Sequence, residues 1–402
     1  MKTRHWLWLI LLLALVIRAG YVYVQLNHSL FHVVTFAPDS ERYMKLAENI
    51  IDCGMFSYEG RLPTANDTPG FPLFLVGLRL LFGPSLLAIY IAQIMLSTAT
   101  VLMAFYIARQ YFSDQAGLWA AALTAIYPMG FIFVATPLTE TLYTFLVAAF
   151  MAVFARISRG MNWALAAGVV GGMATLTRPI VGGFIGLACL ILALRPKTRA
   201  AGLVVLGVFT LVMAPWIIRN AITFGEFIPL STTTGYQIFG GHVAGATGGG
   251  EGHMRVGVDF TPWPVQPPGV SDNEWSKRLT AMGLEVYKDD PLLFFERLPN
   301  KIWNMWRPTW GNASLKNWIA IGGVYIIIWV LALACLLSKK SRAPMLWGFV
   351  LYHIVVHALI FGIVRYRIPM EPVLCALAGQ GVIVLWGGYI YKGKTGADGL
   401  IT

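Results

Sequence analysis

The chain has 402 residues, 57% of them hydrophobic and 12% charged, and a formal net charge of +11. Many apolar runs approach bilayer length with almost no internal charge, which excludes a soluble globular domain and predicts an all-α polytopic membrane protein. The positive excess is not the footprint of a nucleic-acid binder, since no basic patch with interleaved aromatics occurs, and membrane lipids are the expected surroundings.

The first apolar run covers residues 6–26, behind "MKTR". It is long, carries Arg18 and lacks a small-x-small cleavage site, so it reads as a retained span rather than a signal peptide. Further spans are predicted over 84–108, 115–133, 137–156, 162–177, 180–194, 200–218, 318–337, 344–363 and 369–390. The connections and ends "MKTR", "RQYFSD", "RISRG", "RPKTR", "SKKSR" and "YKGK" are short and basic, which places them and both termini in the cytoplasm of a plasma-membrane protein. Residues 70–82, "GFPLFLVGLRLLF", are too short to span and contain Pro72 and Arg79. A span there would reverse every later connection, so a re-entrant or interfacial helix is expected. The predicted organisation is an N-terminal transmembrane module over 1–219 that includes a first outer loop at 27–83. An extracytoplasmic subdomain over 220–316 and C-terminal transmembrane helices over 317–402 follow.

This topology sorts the acids. Of the 19 Asp and Glu residues, only Asp114 and Asp398 fall on the cytoplasmic side. That side has no P-loop, no glycine-rich phosphate cradle and no acidic pair for Mg²⁺. Any reaction therefore belongs on the outer face, where soluble nucleotide-activated substrates are generally absent. The late outer segment begins with the glycine-rich "GYQIFGGHVAGATGGGEG", expected to be mobile. In "SDNEWSKRLTAMGLEVY", Ser271 and Glu274 have capping-box spacing. The aromatic "DPLLFFERLPNKIWNMW" suits the headgroup region. Cys189, Cys335 and Cys375 lie in apolar runs and Cys53 in an outer loop, so no disulfide framework is implied.

Two kinds of residue carry candidate chemistry. In "TFAPDSERYMKLAENI", Asp39 and Glu41 open an amphipathic helix that also carries Tyr43. Asp39 either caps that helix or acts as a general base at the membrane surface. Arg178, Arg219, Arg365 and Arg367 all fall at outer ends of spans; each alone can be a snorkelling interfacial residue, but four on one face suggest an anion site. Arg18 lies deeper, where a charge tends to face a polar cavity. Glu140 and Glu371 sit an outer turn into their spans and can pair with an arginine. His353 and His357, spaced i, i+4, have no evident third ligand, so polar packing is expected and no metal. Trp303, Trp306 and Trp310 suggest an interfacial belt, with sugar stacking as the alternative. Glycosylation-type matches at Asn27, Asn66 and Asn312 are common by chance. An outer carboxylate near membrane-level arginines suits a lipid-phosphate sugar: a base deprotonates the acceptor and cations stabilise the departing phosphate.

Seven pieces occur in a recognisable order: "APDSERYMKLAENIIDCGMFS", "TPGFPLFLVGLRLLFG", "PLTETLYTF", "TLTRPI", "APWIIRNAITFGEFIPLSTTTGYQIFGG", "DPLLFFERLPNKIW" and "RYRIPMEPVLCALAG". In them the sequence resembles the C-type (GT-C) membrane glycosyltransferases, in the bacterial branch related to protein O-mannosyltransferases and the aminoarabinose transferase of lipid A. The resemblance implies a polyprenyl-phosphate-linked sugar as donor, and a glycan, lipid or protein as acceptor. It also implies transfer on the outer face with inversion, and no cofactor. It maps the family's first-loop acid onto Asp39, and its phosphate-binding basic residues best onto Arg219, Arg365 and Arg367, then Arg178. Ser40 separates Asp39 from Glu41, whereas the protein mannosyltransferases carry adjacent acids, and no counterpart of the soluble C-terminal domain of some relatives is seen. An O-antigen polymerase or ligase shares the outer arginines and the late loop but does not require an acidic helix after the first span. A lipid-linked sugar flippase would need polar residues through the bilayer centre and pseudo-symmetric halves. The sequence sets neither the sugar, the acceptor nor the oligomeric state.

Overall fold

The computed structural model describes residues 2–28, 38–243, 246, 264–309, 314–338 and 343–395. Trp310, Asn312, Asp398, most of "SKKSR" and most of the glycine-rich stretch after residue 243 lie outside the described residues.

Among the described residues the regular structure is helical and no strand occurs. The first half holds α1 (Lys2–His28), α2 (Pro38–Cys53), α3 (Gly70–Phe82), α4 (Leu86–Tyr111), α5 (Asp114–Ile126), α6 (Thr139–Phe154), α7 (Met161–Thr177) and α8 (Ile180–Ala193). Then come α9 (Arg199–Phe224), α10 (Thr234–His242), α11 (Asp272–Leu284), α12 (Val286–Asp289) and α13 (Leu293–Trp306). The chain closes with α14 (Leu315–Asn317), α15 (Val324–Leu336), α16 (Pro344–Leu359) and α17 (Glu371–Thr395). Among the described residues five segments are long and apolar enough to cross a bilayer: Thr3–Asn27, Leu86–Tyr111, Arg199–Phe224, Leu315–Leu336 and Val364–Trp386. The protein is a multi-pass membrane protein. α3, α6, α8 and α16 are shorter apolar helices beside them. α9 runs on to Phe224, past the expected module boundary at residue 219.

The straight span predicted over 115–133 is corrected to a broken one. α5 and the following segment Pro128–Ala135 meet at 79°. Pro128 has no N–H to continue the helix, and Tyr127 before it takes extended backbone. The break frees carbonyls that only enclosed side chains can satisfy. Arg18, Ser97 and Gln93 share them. Arg18 Nη1 donates to Ala14 and Ala125 carbonyls, both at 3.1 Å, and its Nη2 to Thr124 at 3.4 Å. Ser97 Oγ accepts from Arg18 Nε and donates to the Gly130 carbonyl, each at 2.7 Å. Gln93 Nε2 donates to Thr136 at 2.8 Å and Val134 at 3.2 Å.

α17 packs between α5 and α15, and two glycines permit the approach. A Cβ at Gly381 would lie 1.8 Å from the Leu331 carbonyl, and one at Gly379 would lie 2.4 Å from that of Ala116. α2 buries Tyr43, Leu46 and Ala47, with Tyr43 edge-on to Phe71 of α3 at 5.3 Å. α3 in turn docks its first turn on the end of α7, where a Cβ on Gly70 would meet the Leu176 carbonyl at 2.7 Å. Ser271 caps α11 by accepting from Glu274 N at 3.2 Å, while the Glu274 side chain pairs with Arg278 rather than closing the box. The starts of α2 and α6, the ends of α7 and α16, and the 3₁₀ segment Val364–Met370 gather at one end of the bundle.

Candidate active site

At that end a cavity of about 390 Å³ opens. It is lined by Ile180 and Gly183 of α8 and by Tyr352, His353, Val356 and His357 of α16. Asp67 and Thr68, then Ser231, Thr233, Thr234 and Gln237, line it as well. Asp39, Arg42 and Tyr43 of α2, Arg178 after α7, and Arg365 and Tyr366 of the 3₁₀ segment complete the lining.

The charges form one network. Arg365 Nη1 donates to Asp39 Oδ2 at 2.9 Å, and its Nε donates to Glu140. Arg178 also donates to Glu140, and its Nε donates to Thr139 Oγ1 at 2.7 Å. Glu140 is fully buried in the first turn of α6, so one carboxylate anchors two guanidiniums. Arg42 Nη2 lies 3.0 Å from Asp39 Oδ1, and its Nε 3.7 Å from Asp67 Oδ2. Asp67 accepts from Tyr58 OH at 2.6 Å, and burial raises its pKa above the usual aspartate value against the opposing pull of Arg42. Three guanidiniums thus face three carboxylates around the cavity.

Of the residues expected from sequence, Asp39, Tyr43, Arg178 and Arg365 come together here, with Glu140 behind them. Asp39 lies inside the first turn of α2, which begins at Pro38, and its carboxylate goes to arginines. Glu41 is exposed and is not part of the cavity wall. Of the four arginines expected at an anion site, Arg178 and Arg365 line this cavity, together with Arg42, and Arg219 and Arg367 do not. Arg219 instead holds the first loop, donating to the Thr64 carbonyl at 2.8 Å and that of Phe56 at 3.4 Å. Arg367 is buried against Glu371 at 2.7 Å and the Arg307 carbonyl at 2.7 Å, with Tyr325 under its guanidinium. Arg18 and Glu371 line a separate internal cavity of about 20 Å³, not the large one.

His353 and His357 line the large cavity, each with Nδ1 3.3 Å from a carbonyl of its own chain segment, Phe349 and Phe361. Among the described residues no three of His, Cys, Asp and Glu cluster as a metal would need. Trp303 is exposed, whereas Trp306 packs edge-on to Trp329 at 4.3 Å. Sequence reasoning missed Arg42 and Asp67. Arg42 had a signal, since it lies one helical turn beyond Asp39. Asp67 had none, because a turn of irregular loop brings it to Tyr58 and Arg42.

The arrangement of helices decides the fold. The solved ArnT of Cupriavidus metallidurans, bound to undecaprenyl phosphate, matches at a TM-score of 0.55 and 15% identity, covering 92% of this chain and 60% of that one. This chain has the GT-C fold. The archaeal oligosaccharyltransferase AglB from Archaeoglobus fulgidus, in complex with an inhibitory peptide and a dolichol-phosphate, matches this chain at a TM-score of 0.54 and 15% identity. That match covers 99% of this chain and 52% of AglB, so the chain spans between half and two thirds of the length of these two solved structures. A family model, dolichyl-phosphate-mannose-protein mannosyltransferase, matches residues 66–218. No curated protein matches the sequence. The likeness to the ArnT-like GT-C superfamily, read above from seven ordered sequence pieces, thus holds in fold.

Proposed function

We propose that this protein is a glycosyltransferase that moves a sugar from a polyprenyl-phosphate-linked donor to a glycan, lipid or protein acceptor, with inversion. The observation that carries this is Asp39 bridged by Arg365 to the Arg178–Glu140 pair, in a cavity lined both by the apolar helices α8 and α16 and by polar loop residues. ArnT, bound to undecaprenyl phosphate, and AglB, with a dolichol-phosphate, support the lipid class. The positive-inside pattern supports an extracytoplasmic site with both termini cytoplasmic.

In this reading the lipid phosphate binds Arg178 and Arg365, which stay charged and donate bidentately. The first isoprene units lie along Ile180, Gly183 and Val356. The acceptor hydroxyl or amine loses its proton to Asp39 and attacks the anomeric carbon from the face opposite the phosphate. The carbon–oxygen bond to phosphate breaks, and the electron pair leaves on the polyprenyl phosphate, where the guanidiniums stabilise it. Arg365 donates to Asp39, so in this reading the donor phosphate competes with Asp39 for Arg365, and its binding frees Asp39 to act as base.

The test is release of polyprenyl phosphate by the purified protein from a panel of polyprenyl-phosphate sugars, with a crude envelope acceptor extract. Turnover by wild type and its loss in Asp39→Asn, with the variant folded and binding polyprenyl phosphate, supports the reading. Absence of turnover with every donor, together with transport of a donor across vesicles, replaces it with a flippase.

A further inference from the structure

The cavity contains a carboxylate that the transfer chemistry so far leaves unused. Asp67 is 6% exposed, yet it stands on the cavity wall. Its loop is tied down on both sides. Thr64 Oγ1 donates to Asp272 at 2.8 Å, Thr232 N donates to the Ala65 carbonyl at 2.9 Å, and Thr233 Oγ1 donates to the Asn66 carbonyl. On the other side, Thr68 Oγ1 donates to the Thr177 carbonyl at 2.9 Å. Four ties within a few residues make this a preorganised acid rather than a solvated loop residue.

Its two oxygens differ in employment. Oδ2 accepts from Tyr58 at 2.6 Å and shares Arg42 at 3.7 Å, while among the described residues none bonds Oδ1. Asp39 contrasts with it, since a guanidinium engages each of its oxygens. Oδ1 is thus the acceptor that this carboxylate offers to a donor group inside the cavity. Asp67 lines the cavity together with the polar side chains of Ser231, Thr233 and Gln237, which can also meet a hydroxyl-bearing ligand. Arg42 lies between Asp67 and Asp39, which places the two acids on consecutive positions of one path.

We infer that Asp67 is the acceptor-positioning residue, accepting a hydrogen bond from a hydroxyl or amino group of the incoming acceptor and so holding the nucleophile beside Asp39. This rests on the glycosyl-transfer reading. It also names the acceptor's chemistry: the reactive end carries neighbouring hydroxyl or amino groups and no adjacent phosphate or carboxylate, which Asp67 repels.

The experiment compares wild type, Asp67→Asn, Tyr58→Phe and Asp39→Asn in full-length protein. Two rates are read with one active donor: transfer to a titrated envelope glycolipid extract, and hydrolysis of the donor by water. Asp67→Asn raises the acceptor concentration for half-maximal transfer by about tenfold or more, the size of a lost charge-assisted hydrogen bond. The donor KM stays put, and the ratio of transfer to hydrolysis falls by a similar factor. Tyr58→Phe moves the same two quantities in the same direction by less, because it leaves the acid in place but unoriented. Asp39→Asn loses transfer and hydrolysis together. A shift of donor KM in Asp67→Asn with no change for acceptor overturns the assignment, as does an unchanged transfer-to-hydrolysis ratio. If Asp67→Asn does not fold, Tyr58→Phe decides by the same ratio. A wild type that releases no polyprenyl phosphate from any donor overturns the transfer reading itself, which is a separate result.

Discussion

Arg365 Nη1 lies 2.9 Å from Asp39 Oδ2, an ion pair that joins the helix after the first span to the segment before the last. The pair occupies the very guanidinium that a lipid phosphate would use. Asp39→Asn should therefore do two opposite things. It should cut turnover by roughly 10²–10⁴, the usual worth of a general base. It should also tighten binding of free polyprenyl phosphate, because an internal competitor has lost its charge. Equilibrium binding with polyprenyl phosphate measures the second effect, and weaker binding in the variant would refute the competition. Arg365→Ala should weaken the same binding.

Glu140 is buried beneath two guanidiniums, whereas the Asp39 side chain is 32% exposed. Glu140→Gln leaves Arg178 and Arg365 short of a counter-charge in a closed place. A loss of stability of about 3–5 kcal/mol is expected, as for breaking a buried pair by removing one partner. Thermal unfolding in detergent should show a large drop for Glu140→Gln and a small one for Asp39→Asn.

Arg18 and Arg367 are fully buried and serve carbonyls, not the large cavity. Arg18→Lys keeps the charge but not the planar fork, so it cannot reach Ala14, Ala125 and Thr124 together. Each carbonyl left unsatisfied costs about 1–3 kcal/mol. The expected result is a lower unfolding temperature for Arg18→Lys and Arg367→Lys, with donor KM in the folded fraction unaltered. A raised donor KM would return these arginines to the phosphate site.

Outside the spans, α10 and α13 meet at a buried lysine. Lys301 Nζ lies 2.8 Å from His242 Nε2 and 3.3 Å from the Ile360 carbonyl, beside Arg297 and with Tyr287 on the far nitrogen of the imidazole. Burial, then Arg297, lowers the Lys301 pKa to about 7, and burial, then Lys301, lowers that of His242 to about 4. The unfolded lysine keeps its proton up to its ordinary value of 10.5, so between pH 7 and 10.5 the unfolded state binds more protons and this group makes stability rise with pH. For His242 the same sign holds between its ordinary 6.5 and about 4, so stability falls as pH drops through that window. Unfolding temperatures measured from pH 4 to 10 should rise with pH, and Lys301→Met should flatten the slope above pH 7. An equal slope in both proteins would place the titration elsewhere.

Much of this protein was legible before folding was considered. Hydropathy is a sum along one helix, and each span answers to the bilayer separately, so α1 and α4 fall close to their predicted limits. Asp39 could be singled out because its charged amphipathic helix directly follows an apolar run, though its pairing with Arg365 could not. The break at Pro128 was visible as a residue but not as a break, since whether a proline interrupts a span depends on Arg18, Ser97 and Gln93 arriving from other helices to satisfy the carbonyls. The arginines make the same point. Arg365 and Arg367 share the motif "RYRIP", and composition treats them alike. In three dimensions Arg365 turns to Asp39 and Glu140 on the cavity, while Arg367 turns to Glu371 and the carbonyls of residues 305 and 307. Class and topology come from free energies that add locally along the chain. The site comes from pairings between residues hundreds of positions apart, whose strength depends on distance and desolvation, and only the packed bundle sets those.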